Sequence, residues 1–271
     1  MRIWYQSMTR AAAWPAYNAA LREVLDASAE PGTTVEVHGI EGRGGVGDQY
    51  RYLEFIETQE VLENVERATR DGFDAFLIGN ICEPGLREAR EITDMPVLGL
   101  GEVSCQVANM MGGNYALVTG SPKHIPKIVE NIRRNGLAEH LHSARSMQMV
   151  RLVDLDQGFS EPRTGKALVD RFIEECRVVV AEGAEVVIPA VGVLMVLLAR
   201  ERVHDTGPGG VPIVNGVRAL VKMGEMAVKL DRIMGGTFTS KRLQYAPPGA
   251  DQIAEIREYY GANIYPTVKP K

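Results

Sequence analysis

Cysteine is scarce in this chain: three occur among 271 residues, Cys82, Cys105 and Cys176, at irregular spacing. No CxxC pair or zinc-type spacing is present, which excludes a secreted disulfide framework and fits a reducing compartment, the cytoplasm. Histidine is nearly as rare. His38, His124, His140, His142 and His204 show no ligand pattern, His140 and His142 being placed at a chain turn, so no metal is expected. Long apolar runs are missing too. The longest, Val186 to Ala199, contains Pro189 and Gly192 and is too short to span a bilayer; it reads as a buried strand leading into a buried helix, with no membrane partner. Basic charge has no excess, with 30 Lys and Arg against 35 Asp and Glu and a net charge of -5, so nucleic acid is not an expected partner. The amino terminus opens directly on the apolar Met1-Arg-Ile-Trp-Tyr5 without the order of a secretory leader, and export is not expected. The glycine-rich Gly42 to Gly47 lacks both a Lys-Ser/Thr pair and GxGxxG spacing, so it reads as a mobile loop rather than a phosphate site. A small molecule remains the expected partner.

What the chain has is hydrophobic residues, 45% of the total, enough for a substantial core. Short runs rich in β-branched residues alternate with helical patterns, the sign of βαβ units and a parallel sheet covered on both faces. Strands are expected at Arg2 to Gln6, Thr34 to His38, Ala75 to Ile78, Val97 to Leu100, Tyr115 to Thr119, Val186 to Ile188 and Ile213 to Val214. Helices are expected at Ala16 to Ser28, Glu54 to Asp71, Val103 to Met111, Ile125 to Asn135, Gly165 to Glu182, Gly216 to Met234 and Asp251 to Tyr260. A pseudo-repeat is visible: the strands ending near Asn80 and near Pro189 each follow a helix and an acidic-Gly turn, Asp71-Gly72 and Glu182-Gly183, and each leads into a glycine-containing loop.

In open parallel sheets, ligands bind beyond the carboxyl ends of the strands. That rule selects Gln6, Ser7 and Thr9 after the first strand, Asn80, Cys82 and Glu83 after the third, and Glu102 after the fourth. It further selects Thr119, Gly120 and Ser121 after the fifth, then Pro189, Ala190, Val191, Gly192 and Asn215. Hydroxyls, amides and backbone N–H groups dominate this set and suit a carboxylate or imide oxygen. Each Ser or Thr taken singly is also a natural helix cap.

The segment Ala75-Phe-Leu-Ile-Gly-Asn-Ile-Cys-Glu-Pro-Gly-Leu86, then Pro96-Val-Leu-Gly-Leu-Gly-Glu102 and Tyr115-Ala-Leu-Val-Thr119, resembles the hydantoin racemases of the aspartate/glutamate/hydantoin racemase superfamily. The resemblance extends over residues 1 to 236 by order of elements. It implies an α/β fold of two similar parallel-sheet, Rossmann-like domains related by pseudo-twofold symmetry, with the active site in the cleft between them. The implied division is 1–103 plus 211–240 for the first domain and 104–210 for the second; the remaining 241–271, with Pro247-Pro248 and weaker periodicity, reads as a carboxyl-terminal extension, a surface arm or an active-site lid. The resemblance also implies an oligomer. The family's two-base racemisation uses one cysteine after each of two strands; here those positions read Asn80 and Val191, and neither exchanges a proton near neutrality. What the resemblance implies is therefore a racemase-like, cofactor-independent enzyme of a small carboxylate or cyclic amide that does not use paired thiols. Thr119, Gly120 and Ser121 would hold an anionic oxygen, Asn80 would donate a hydrogen bond, and Pro189 to Gly192 would form the opposite wall. Cys82, two residues past Asn80, is a thiol that a bulging loop would bring to the cleft, or a small buried hydrophobe. Glu83, Glu102, His38 and His204 are further proton-transfer candidates. Lyase, decarboxylase or hydrolase chemistry on the same fold, and a non-catalytic ligand-binding protein, are the alternatives.

Overall fold

The computed structural model describes residues 1–46 and 50–267, so the last residue of the glycine-rich segment, Gly47, and the final four residues of the tail lie outside it. Strands β1 (Arg2–Gln6), β2 (Thr34–His38), β3 (Ala75–Ile78) and β4 (Val97–Gly99) form an all-parallel sheet in the order β2-β1-β3-β4. Strands β5 (Tyr115–Thr119), β6 (Leu141–Ser146) and β7 (Val187–Pro189) form a second parallel sheet in the order β6-β5-β7. A parallel bridge from Val187 to Ile213 continues this sheet by one position. Each sheet thus runs second strand, first, third, fourth. That is the pseudo-repeat in three dimensions.

The helices are α1 (Pro15–Asp26), α2 (Arg51–Arg70), α3 (Leu86–Ile92), α4 (Leu100–Met111), α5 (Ile125–Arg134), α6 (Gln157–Ser160), α7 (Pro162–Ala181), α8 (Gly192–Arg200), α9 (Gly216–Ile233) and α10 (Ala250–Tyr260). Pro15, Pro126 and Pro162 sit in the first turns of α1, α5 and α7, where the missing N–H costs nothing. Every residue of β3 and β5 is buried because helices cover both sheet faces, which is why these strands read as unbroken apolar runs.

One large core runs through both halves. It joins Tyr5 and Leu77 of the first sheet to Leu117 and Ile188 of the second through Leu21 of α1, Val103 of α4, Leu194 of α8 and Leu220 of α9. A smaller core, with Trp4, Val61, Val65 and Phe76, fills the space between the first sheet and α2. Helix α9 returns late in the chain to pack on β3, β4 and α4. The tail straps the first half: Lys241 Nζ donates to the carbonyls of Arg90, Glu91 and Thr93 at 2.5, 3.1 and 2.6 Å, and Tyr265 donates to Glu91 at 2.8 Å.

Several expectations shift. Helix α4 begins at Leu100 instead of Val103, and β4 correspondingly stops at Gly99, because the Gly99 N–H and the Glu102 carboxylate close a helix start there. Ile213 makes a single bridge to Val187, and Val214 belongs to no strand. His140 ends a short 3₁₀ turn and His142 lies inside β6, so the pair is not at a simple turn. Strand β6, Leu-His-Ser-Ala-Arg-Ser, escapes a search for apolar runs because an edge strand is half exposed and tolerates polar residues. Among the described residues, no helix is long and apolar enough to cross a membrane.

Candidate active site

The carboxyl ends of the strands in both sheets face a cavity of about 50 Å³. Its lining from the first half is Ser7, Met8, Thr9, Trp14, Tyr17, Gly79, Asn80 and Ile81, and from the second half His124, Leu152, Val191, Gly192 and Val193. Such a volume holds roughly four water-sized groups, the scale of a small ring or short carboxylate and not of a nucleotide.

The first-half wall is polar and pre-ordered. Ser7 and Thr9 share a hydroxyl–hydroxyl bond of 2.8 Å, the Thr9 N–H donates to Ser7 Oγ at 3.3 Å, and Thr9 Oγ1 donates to Asn18 Oδ1 at 3.4 Å. Asn80 follows β3 across Gly79, and its Oδ1 accepts the Cys82 N–H at 2.7 Å. That bond fixes the carboxamide by its oxygen and makes the NH₂ the end that can donate to a substrate oxygen. Beneath Asn80, a Cβ on Gly79 would stand 2.3 Å from Tyr5 Cζ and 2.4 Å from the Tyr5 hydroxyl, so only glycine lets the strand end pass over this ring. The Tyr5 phenol is fully buried, and burial holds its pKa well above the usual value. Tyr17, from α1, packs edge-on to Trp14 at 6.1 Å and to Phe159 at 5.8 Å, and its N–H donates to Asp156 of the second half at 2.8 Å.

The second-half wall is apolar except for His124. Val191 precedes α8 and is buried, with Gly192 beginning the helix. Gly120 admits Leu152, whose Cδ2 would lie 2.6 Å from a Cβ there. His124 is 4% exposed, and its N–H closes a turn onto the Ser121 carbonyl at 3.1 Å just before α5.

Of the residues selected from sequence, the structure gathers Ser7, Thr9, Asn80, Val191 and Gly192 on this cavity. The rest stand elsewhere. Gln6 points to the opposite sheet face, where Trp4 and Asn64 donate to its Oε1 at 3.1 and 3.0 Å. Thr119 is buried and donates to the Ala190 carbonyl at 3.1 Å, tying β5 to β7. Pro189 ends β7, and Ala190 is fully buried behind the wall. Gly120 backs the cavity through Leu152 without lining it, and Ser121 caps the turn by accepting the Lys123 N–H at 3.3 Å. Asn215 caps α9, accepting the Arg218 N–H at 3.1 Å and donating to the Met195 carbonyl at 2.9 Å. The blander capping reading of such residues describes what these side chains do here.

Cys82 is buried on a different side. It lines a wider groove of about 350 Å³ between α2 and α5, and its carbonyl accepts Asn131 Nδ2 at 2.6 Å. Glu83 and Glu102 form a carboxylate pair at the start of α4: Glu83 Oε1 accepts the Glu102 N–H at 2.5 Å, and Glu102 pairs with Arg90. Burial first, and the Glu102 charge second, push the Glu83 carboxyl up to about 8. Burial likewise pushes the Cys105 thiol up to about 12 and raises Cys176, so both are inert core thiols. His38 stacks on Trp4 at 3.4 Å, and His204 is exposed on its loop. Neither reaches the cavity. His124, Tyr17 and Trp14 do reach it and were missed, because a turn before α5 and a helix face have no strand-end signature; the Ser-Pro-Lys-His turn right after β5 was the available signal.

Among the described residues, no three His, Cys, Asp or Glu side chains cluster as a metal site. The Asp/Glu/hydantoin racemase family profile matches residues 15–224 of this chain. A hydantoin racemase from Pseudomonas sp. (strain NS671) is 28% identical over 213 residues, covering 78% of this chain and 79% of that protein. An allantoin racemase from Klebsiella pneumoniae superposes with a TM-score of 0.75 at 25% identity, covering 92% of this chain and 94% of the other. An allantoin racemase from Pseudomonas fluorescens shares the fold, with a TM-score of 0.74 at 22% identity over 92% of this chain and 97% of the other. With the family profile spanning most of its length and both sheets in place, the chain belongs to the Asp/Glu/hydantoin racemase family of enzymes.

Proposed function

We propose that this protein is a cofactor-independent isomerase of a small carbon acid, a hydantoin-like cyclic amide or a small carboxylate, and that it works in the 50 Å³ cavity without paired thiols. One observation carries the reading: the positions after the third strand of each sheet, Asn80 and Val191, meet on a single cavity, and no cysteine is among its lining residues. The names of the similar proteins, hydantoin racemase and allantoin racemase, support the substrate class. Asn80 donates to the carbonyl oxygen as it gains charge, the Ser7 and Thr9 hydroxyls support the ring or carboxylate, and Val191 with Leu152 excludes water from the other side. Residues 1–103 with 211–240 form one body and 104–210 the other, with 241–271 as an arm that packs on the first; the working form is a homo-oligomer.

The apolar Val191 wall favours a second reading, a ligand-binding protein that has kept the clamp and lost the reaction. Proton NMR in heavy water separates the two. With a panel of hydantoins, amino acids, malonates and maleate, an isomerase exchanges the proton on the carbon next to a carbonyl, and Cys82→Ala leaves that exchange unchanged. Binding of a panel member without exchange or turnover overturns the isomerase reading in favour of the second one.

A further inference from the structure

We infer that His124 is the proton-transferring residue of this cavity, in place of the thiols that the chain lacks there. The inference rests on the isomerase reading above and adds the group that moves the proton. Ser7, Thr9, Asn80 and the Trp14 indole keep one protonation state near neutrality. Among the described residues, the remaining titratable side chains on the wall are His124 and Tyr17. Of the two, imidazole is the one whose charge normally changes between pH 5 and 8.

Placement supports the role. His124 comes from the second half and Asn80 from the first, so the carbon acid and its carbonyl oxygen are approached from different walls of one cavity. The histidine is held by backbone bonds and so is positioned before any ligand arrives. Its N–H donates to Ser121 O at 3.1 Å, and its own carbonyl accepts Lys127 N and Ile128 N, both at 3.1 Å. It is 4% exposed, which removes competing water from the transfer. Around it, Tyr17 faces from α1, Asp156 stands behind Tyr17 by accepting its N–H, Lys123 shares the turn, and Lys127 on α5 is engaged by Glu54 of α2.

In the step, a neutral ring nitrogen takes the proton from the carbon next to the carbonyl. The C–H electron pair forms the carbon–carbon double bond, and the carbonyl π pair moves onto oxygen, where the Asn80 NH₂ donates. Return of a proton from the imidazolium to the same face completes an exchange with retention; inversion follows when the planar intermediate turns over in the cavity before it is reprotonated, and neither path needs an oxidant or co-reactant. In heavy water the ring exchanges its proton between the two transfers, so deuterium appears at that carbon.

The test measures deuterium incorporation into the same panel by the wild type, His124→Asn and Tyr17→Phe, with ligand affinity and cooperative melting followed in parallel. General acid–base catalysis contributes roughly 10²–10⁴-fold, so His124→Asn is expected to lose at least about 100-fold in exchange rate while its ligand affinity stays within about tenfold. Tyr17→Phe is expected to lose less than about tenfold. A folded His124→Asn variant that exchanges within about threefold of wild type overturns the role and leaves the isomerase reading standing. A wild type that exchanges no panel member overturns both. If His124→Asn does not fold, the wild-type pH profile decides: a limb between pH 5 and 8 is expected, and a flat profile across that window overturns the assignment.

Discussion

The two halves of this molecule repeat one strand order, β2-β1-β3-β4 and β6-β5-β7 followed by Ile213, yet their strand ends carry opposite chemistry. At its strand ends the first half presents Asn80 beside the hydrogen-bonded chain Ser7–Thr9–Asn18, whereas the second presents Val191 and Leu152 with His124. The backbone repeat fixes where side chains enter the cleft, while the residue at each entry decides what they do. Pairs of equivalent positions are therefore the natural probes.

The largest effect is expected where the halves are tied together. Lys127 of α5 pairs with the buried Glu54 of α2, while Arg51 and Glu130 pair at 2.7 Å across the same seam in exposed positions. Lys127→Met leaves a buried carboxylate behind and is expected to cost about 3 kcal/mol in urea unfolding. Arg51→Ala is expected to cost under ~0.5 kcal/mol. Equal losses would show that the seam is not differentially buried.

At the strand ends, Asn80→Ala is expected to lower turnover about 100-fold, equivalent to ~2.7 kcal/mol, as removal of one oxyanion donor does elsewhere, and to lower stability by about 1 kcal/mol through loss of the Cys82 N–H acceptor while still folding. Val191→Ala, its counterpart, is expected to change turnover less than about tenfold. A fully active Asn80→Ala variant would remove the asymmetry from the mechanism. One residue before Asn80, Gly79→Ala drives a methyl into the Tyr5 ring and is expected to cost roughly 2 kcal/mol by overpacking. Gly192→Ala meets the Gly79 carbonyl at 3.2 Å and Leu100 at 3.4 Å, and is expected to cost less than about 1 kcal/mol.

A further effect depends on pH. Glu83 rises from 4.5 to about 8 on folding, so the folded state holds a proton that the unfolded chain has lost between those values. Its contribution to stability accordingly falls as pH climbs from 4.5 to about 8 and then levels off. Glu83→Gln keeps an acceptor for the Glu102 N–H and removes the charge. Relative to wild type it is expected to melt higher at pH 9 and nearly alike at pH 5. A constant difference at both pH values would place the carboxylate pair outside the linkage.

Much of the scaffold was legible in the chain. The runs Arg2–Gln6, Thr34–His38, Ala75–Ile78 and Tyr115–Thr119 coincide with β1, β2, β3 and β5; β3 and β5 are buried throughout and apolar or small at nearly every position, while the edge strand β2 shows itself only by its β-branched Val35 and Val37. The site was half legible. Ser7 and Asn80 could be named because they follow strands, but Gln6 and Thr119 occupy similar places and turn into packing. A strand end alternates its side chains between two faces and the helix side, and a few degrees of loop geometry choose among them. Cys82 shows the same limit, since two residues past Asn80 the chain has crossed to the α2–α5 groove.

By itself, then, the sequence determined the alternation of strand and helix, the pseudo-repeat and the absence of cysteine at the two strand-end positions, because these are properties of local composition and spacing. Only the tertiary structure decided that His124, Tyr17 and Trp14 join Asn80 around one cavity while Glu83, Glu102 and Cys82 do not. Those groupings depend on how α1, α5 and α8 pack across the seam between two sheets, and such long-range packing has no counterpart in the spacing of residues along the chain.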